Sequence, residues 1–290
     1  MKYVKGEAIR QHAQLKQSFL QLARETFELE FEQWDALGYW DSTYCPYAFE
    51  VDGKIIANVS ASIGTMLLEG KTYQAIQIGT VMTNPAFQGQ GLSRKLMEKV
   101  LEDTADAAII YLFANETVLH FYPKFGFETR RQATFTVETK DLQLQPAEVK
   151  KVDIADEDAR KLFYETTQHR MPISLKMSML QNENIVMFHA LTQYKDALYY
   201  VPKFNVFVIA KEQDGRFQLI DIISKQYVDV VDLLEGLPIE APVIELCFTP
   251  DKLKVPVQQG IFQDDGAMFV KEQGELRYAD DLLYPYSGLA

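Results

Sequence analysis

Apolar residues recur at helical spacing in the opening segment, where Leu15, Phe19 and Leu22 are separated by polar positions, as on the buried face of an amphipathic helix. Phe27, Phe31 and Trp34 carry the same rhythm towards Gly38, where glycine predicts the stop. The pattern then changes. Residues 44–63 read as a hairpin, because AFEV and KIIANVSASI flank Asp52-Gly53, a pair suited to a tight turn with positive φ. A strand over Ala75–Thr83 ends at Asn84-Pro85, a glycine-rich turn follows, and Leu92, Leu96 and Val100 mark one face of a helix. AAIIYLFAN (107–115) is an apolar run short enough for a buried strand. A short helix around Val118–Tyr122, a turn at Gly126 and the strand ATFTVETK (133–140) close this half.

The polar stretch 141–151, which contains Pro146, reads as a linker. Beyond it, Ala155–Gln168 patterns as a helix, while 170–197 has no clear period. Residues 199–225 read as two strands joined at Asp214-Gly215, 228–237 as a short helix and 242–249 as a buried strand. The remainder reads as a hairpin turning at Asp264-Asp265-Gly266. Hairpin, strand, helix and strand thus occur in both halves, which points to an internal duplication. The alternation predicts an α/β (α+β) chain, divided into domains at 1–145 and 150–290.

Length agrees with two domains, since 290 residues exceed the common single-domain range of about 100–150. The net charge of −12 argues against a nucleic-acid partner held through phosphates. The deficit is uneven: residues 1–140 carry 14 bases and 17 acids, and the rest 15 and 24, so a phosphate-bearing ligand meets less repulsion in the first half. Cys45 and Cys247 stand far apart and support neither a disulfide scaffold nor a zinc cluster, so no metal is expected. The N-terminal MKYVKGEAIRQH lacks the apolar core of a signal peptide, and no apolar run approaches the ~20 residues of a membrane span. These features predict a cytoplasmic chain without a membrane partner; they leave a homo-oligomer open.

The most informative stretch is VMTNPAFQGQGLSRKL (81–96). Gln88, Gly89, Gln90 and Gly91 turn a strand into a helix, so that backbone N–H groups and the positive end of the helix dipole can meet phosphates. The dinucleotide fingerprint G-x-G-x-x-G fails at Arg94, and no GK[ST] follows to make a P-loop. What fits is the Q/R-x-x-G-x-G/A signature of the GNAT N-acetyltransferases, in a compressed form with Gln88 directly before Gly89. Val81, Thr83 and Pro85 match the preceding strand of that family. Asn115 is followed seven residues later by Tyr122-Pro123-Lys124-Phe125-Gly126-Phe127, as in the family's Tyr-x-Lys-x-Gly-Phe. The chain therefore resembles the GNAT superfamily over about residues 5–140.

The resemblance implies a mixed, mostly antiparallel GNAT sheet and acetyl-CoA as co-substrate. Val81, Met82 and Thr83 would pair with the pantetheine arm. Gln88, Gly89, Gln90, Gly91, Leu92, Ser93 and Arg94 would cradle the pyrophosphate, with Lys95 a solvated base. Asn115 would bond to the pantetheine end or cap the strand. Tyr122 is expected to protonate the departing thiolate, since phenol and CoA thiol have similar acidity. Many relatives place a glutamate on the strand before the loop as general base; here QAIQIGTVMT holds no carboxylate, leaving Glu28, Glu32, Glu50 or a water chain, with His120 more ordinary as a structural residue.

Residues 27–41 hold five acids and five aromatics but no base. They form an acidic core-facing helix or, alternatively, an acceptor surface in which Glu28, Phe31, Glu32 and Trp34 attract a cationic amine. The acceptor classes are a small cationic amine, an aminoglycoside or a lysine side chain. The second half has only KQYV between strand and helix, with no glycine loop and no Tyr-x-Lys-x-Gly-Phe. It reads as a degenerate GNAT-like domain without CoA, as in tandem-GNAT proteins. The competing non-enzyme expectation is an acyl-CoA-binding sensor.

Overall fold

The structure, a computed structural model, describes residues 1–262 and 266–290 and contains two sheets flanked by helices. The chain opens with a strand, β1 (Lys2–Lys5), a short helix, α1 (Glu7–Gln11), and the amphipathic helix α2 (Ala13–Phe27), whose Leu15, Phe19 and Leu22 are buried. The helical rhythm does not run unbroken to Gly38. Glu28 takes φ 59° and its N–H returns to the Arg24 carbonyl, so α2 stops and α3 (Glu32–Ala36) is a separate turn. Phe31 and Trp34 still face inward, packed with Phe19, Trp40, Tyr44 and Phe188 at ring-centroid separations of 5.0 to 6.0 Å.

The hairpin forms as the sequence predicts: β2 (Tyr44–Val51) and β3 (Lys54–Leu68) flank Asp52 at φ 50° and Gly53 at φ 78°, the two left-handed positions of a twist-matched turn. β4 (Lys71–Thr83) continues antiparallel, α4 (Leu92–Asp103) crosses over, and β5 (Ile109–Asn115) returns parallel to β4. Two 3₁₀ turns, Glu116–Val118 and Tyr122–Phe125, replace the expected short helix around Val118–Tyr122. Pro123 lacks the N–H that an α-helix there would use.

After β6 (Glu128–Arg130), the strand β7 (Ala133–Glu138) leaves this sheet for the second one. There follow β8 (Lys150–Lys151), α5 (Glu157–Gln168), β9 (Met177–Leu180), α6 (Glu183–Leu191), β10 (Leu198–Val201), β11 (Val206–Gln213), β12 (Arg216–Ile223), α7 (Val230–Gly236), β13 (Val243–Leu246), β14 (Gln258–Ile261) and β15 (Gly266–Glu272). The first sheet runs β1-β2-β3-β4-β5-β15-β6, with β9 also on β3; the second runs β14-β7-β13-β12-β11-β10-β8. Among the described residues, every pairing is antiparallel except β4 with β5 and β12 with β13. The mixed, mostly antiparallel fold class therefore stands.

Strand pairing crosses the linker at 145–150 in both directions. β7 pairs with β13 and β14, while β9 and β15 pair with β3, β5 and β6. The expected terminal hairpin is not one: β14 and β15 lie in different sheets, and Asp264 and Asp265 of its turn lie outside the described residues. The halves also share a core, in which α2 and α3 residues cluster with Phe163, Ile185, Phe207 and Ile220. Trp34 Nε1 donates to the Asn184 carbonyl at 2.7 Å across this junction. Among the described residues, no helix is long and apolar enough to cross a membrane.

Candidate functional site

Parallel pairing of β4 with β5 runs from Ala75–Ile109 to Ile78–Leu112 and then ends. From Gly79 onward β4 turns away: its register against β3 shifts between Asn58 and Ser60, and Thr80 takes φ 43°. A buried polar group holds this irregular backbone. Asn58 Nδ2 donates to the Thr80 carbonyl at 3.0 Å, the Thr80 hydroxyl donates to Ser60 Oγ at 2.7 Å, and Tyr44 Oη lies 2.9 Å from Thr80 Oγ1. The strands therefore part, and a cleft of about 760 Å³ opens between them.

At the far end of β4 the chain turns through Gly89 (φ 76°) and Gly91 (φ 69°), and a Cβ at either would meet nothing within 4 Å. Gly91 is the N-cap of α4 and no side chain caps its amides, so the first turn offers free N–H donors to an anion. Ser93 Oγ lies 2.8 Å from Thr83 Oγ1, tying the helix start to the strand. Arg94 lies over the Phe125 ring at 5.7 Å and lines the same cleft. Val81, Thr83, Gln88, Gly89, Gly91, Leu92, Ser93, Arg94, Asn115 and Tyr122 all line it. Met82 is instead buried in the core, Gln90 is exposed outside the lining, and Lys95 is exposed to solvent as expected.

Tyr122 is almost wholly buried among Phe121, Phe127 and Phe269, and burial pushes its phenol up to about 12. No described residue hydrogen-bonds its hydroxyl, so a neutral O–H stands available to the cleft. Asn115 Oδ1 accepts from the N–H and hydroxyl of Thr117 at 3.2 and 2.6 Å, so its carbonyl oxygen caps the following turn.

The acceptor candidates separate. Phe31 and Trp34 are 5% and 1% exposed, members of the aromatic core with no face towards the cleft. Glu28 and Glu32 line a neighbouring cavity of about 660 Å³ with Glu30, Phe188 and His189, and Glu32 pairs with Arg24. From this segment Phe27 and Leu29 reach the cleft, and Leu29 borders both cavities. Glu50 accepts from the Gly53 N–H in the hairpin turn, and His120 is exposed outside the cleft. None of the described cleft-lining residues carries a carboxylate side chain.

Sequence reasoning missed several cleft-lining residues, three of which shape the bend of β4 and its surroundings. Gly79 and Thr80 lie at the bend in β4, and Ala290 arrives from the end of the second half to line the cleft. The carbonyl carbon of Ala290 lies 3.3 Å from where a Cβ on Gly79 would stand, so glycine makes room for the tail. The glycine in QAIQIGTVMT was the available signal for a close backbone approach; nothing in YPYSGLA announced its destination.

Residues 7–130 match the family model described as an acetyltransferase (GNAT) domain. Over the whole chain the fold is similar to Eis1 from Mycobacterium abscessus (16% identity, 94% of this chain and 74% of that one, TM-score 0.62). It is also similar to a probable N-acyltransferase from Enterococcus faecalis V583 (17%, 94% and 72%, TM-score 0.57). A GCN5-related N-acetyltransferase from Kribbella flavida gives 18%, 93% and 72%, with a TM-score of 0.57. At these identities the likeness is one of fold. Residues 7–130 thus match a GNAT acetyltransferase domain, and over most of the chain the two-sheet fold is similar to that of Eis1 and the two other proteins.

Proposed function

We propose that this protein transfers an acetyl group from acetyl-CoA to a primary amine carried by a small cationic molecule, an aminoglycoside or a lysine side chain. The observation that carries the reading is the cleft itself: a parted β4 edge leads from an uncapped, glycine-started helix to a buried neutral phenol. Open space at Gly89 and Gly91 and the free amides of α4 suit a pyrophosphate, with Arg94 adding charge. The extended arm then lies along Val81–Thr83, which brings the thioester to Tyr122.

The amine nitrogen attacks the thioester carbonyl, the C–S bond breaks, and Tyr122 gives its proton to the departing thiolate. The raised phenol keeps that proton throughout the working pH range. With no carboxylate side chain among the described lining residues, the ammonium gives one proton to water before attack; the nitrogen, cationic once bonded to the carbonyl carbon, gives up a second as the C–S bond breaks, and by way of solvent that proton restores the Tyr122 phenol. Products are the amide and free CoA. Glu28 and Glu30 flank the adjoining cavity and favour a cationic acceptor by long-range attraction.

The missing carboxylate also motivates the second reading, an acyl-CoA-binding sensor. Incubation with acetyl-CoA and a panel of amines, with free thiol followed by a chromogenic reagent, separates the two. Amine-dependent thiol release supports transfer; tight acetyl-CoA binding without it supports the sensor.

A further inference from the structure

The tail of the chain is tied down along its whole approach to the cleft. Tyr284 Oη donates to the Gly288 carbonyl at 2.9 Å and lies 2.9 Å from Tyr111 Oη. With the Gln77 amide oriented so that its nitrogen faces Gly288, Nε2 donates to that carbonyl at 2.9 Å and Oε1 accepts from the Ala290 N–H at 2.7 Å. Leu289 is bound from within the second half: its carbonyl accepts from Nε2 of His189 on α6. His189 is 8% exposed, and its Nδ1 has no partner. Donation from Nε2 requires the tautomer with a bare Nδ1, and burial lowers the affinity of this ring for a second proton. The ring is thus a neutral, fixed donor.

The placement gives this bond a consequence. His189 lines the cavity beside Glu28 and Leu29, Ala290 lines the cleft, and Leu29 borders both spaces. Ala290 lies beside Gly79, just past the last β4–β5 pair, and the neighbouring Leu289 carbonyl is held by the His189 ring that lines the other cavity. We propose that His189 is a positioning residue that pins residues 289–290 as a partition, and that this partition confines the acyl group to a short chain such as acetyl. The proposal rests on the acetyl-transfer reading, in which the arm runs from the glycine loop towards Gly79 and places the acyl group against Ala290. A released tail merges the two cavities and makes room for further methylenes.

The test uses the full chain with His189→Ala, which removes the donor, and His189→Gln, which keeps an N–H near the Nε2 position. Hydrogen exchange of residues 284–290, measured without substrate, should accelerate in the Ala variant and stay close to wild type in the Gln variant. With acetyl-, butyryl- and hexanoyl-CoA, the Ala variant should shift kcat/KM towards the longer donors by about tenfold, the scale of a methylene misfit in a pocket. Ala290→Leu, at an exposed position that leaves the core intact, should shift preference the opposite way, which keeps the idea testable if the Ala variant misfolds. Unchanged tail exchange in a folded His189→Ala protein overturns the pin. Faster exchange with unchanged donor preference, or no shift in Ala290→Leu, overturns the partition. If wild type transfers no acyl group from any donor while tail exchange still responds to His189, the pin stands and the transfer reading fails.

Discussion

The two parallel strand pairs of this molecule share one frame and end differently. β4 and β5 pair from Ala75–Ile109 to Ile78–Leu112, β12 and β13 from Arg216–Val243 to Leu219–Leu246, and each pair is joined through a helix. After β4 the chain meets Gly89 and Gly91, and α4 starts with bare amides beside a cleft of about 760 Å³. After β12 it meets Asp229, whose Oδ1 accepts from the N–H groups of Val231 and Asp232, so α7 has consumed its own donors. The space there is a nook of about 20 Å³. Arg170 fills the end of β12 by donating to both Asp221 oxygens and to the Ile222 carbonyl, and Met171 N–H donates to the Ser224 carbonyl. A few residues at the strand–helix junction thus separate an open frame from one filled by its own side chains. We propose on this basis that the second half takes no CoA.

The largest effect should come from breaking the filler. Arg170→Ala leaves Asp221, 1% exposed at its side chain, as a buried charge without its partner. Loss of one partner of a buried pair costs about 3–5 kcal/mol, readable as a lower urea midpoint. The folded fraction should still bind one acetyl-CoA per chain by calorimetry; a second equivalent would contradict the view that loop chemistry, not mere space, separates the halves. Gly91→Val comes next. At φ 69° a β-branched residue is strained, the amides of α4 are displaced, and acetyl-CoA affinity should fall by about two orders of magnitude. Unchanged affinity in a folded variant removes the loop from the site.

A smaller effect concerns pH. Burial raises the Tyr44 phenol from 10.0 to about 12. The folded state therefore holds that proton more tightly than the unfolded chain. This contribution to stability is complete below pH 10 and is lost as pH rises towards 12. Urea midpoints should decline across that window. Turnover should rise with pH as the acceptor amine deprotonates, without an alkaline fall from Tyr122 below about pH 11. An alkaline limb near neutrality in a stable protein would point to another acid.

Local signals were legible in the sequence. Asp52-Gly53 and Asp214-Gly215 form tight turns with positive φ at both residues, and the glycines at 89 and 91 open the helix start, because each feature is set by a residue's own backbone freedom. Partner choice was not legible. The alternation in ATFTVETK gives β7 one buried face, yet cannot say that its neighbours are β13 and β14. Phe27, Phe31 and Trp34 keep helical spacing across a real break at Glu28, so the spacing hid the point where Phe27 departs for the cleft and the other two enter the core. The tail escaped notice because its contacts with Gln77 and His189 join positions far apart in sequence.

The central claim is that the first-half cleft performs acyl transfer with Tyr122 as the acid, and Tyr122→Phe tests it most directly. The substitution keeps the ring packed against Phe121, Phe127 and Phe269 and removes a hydroxyl that no described residue binds, so folding and acetyl-CoA affinity should be retained. Turnover at saturating acetyl-CoA should fall by about tenfold or more, as for loss of a general acid that water partly replaces. Wild-type turnover in a folded, CoA-competent Phe variant would contradict the account.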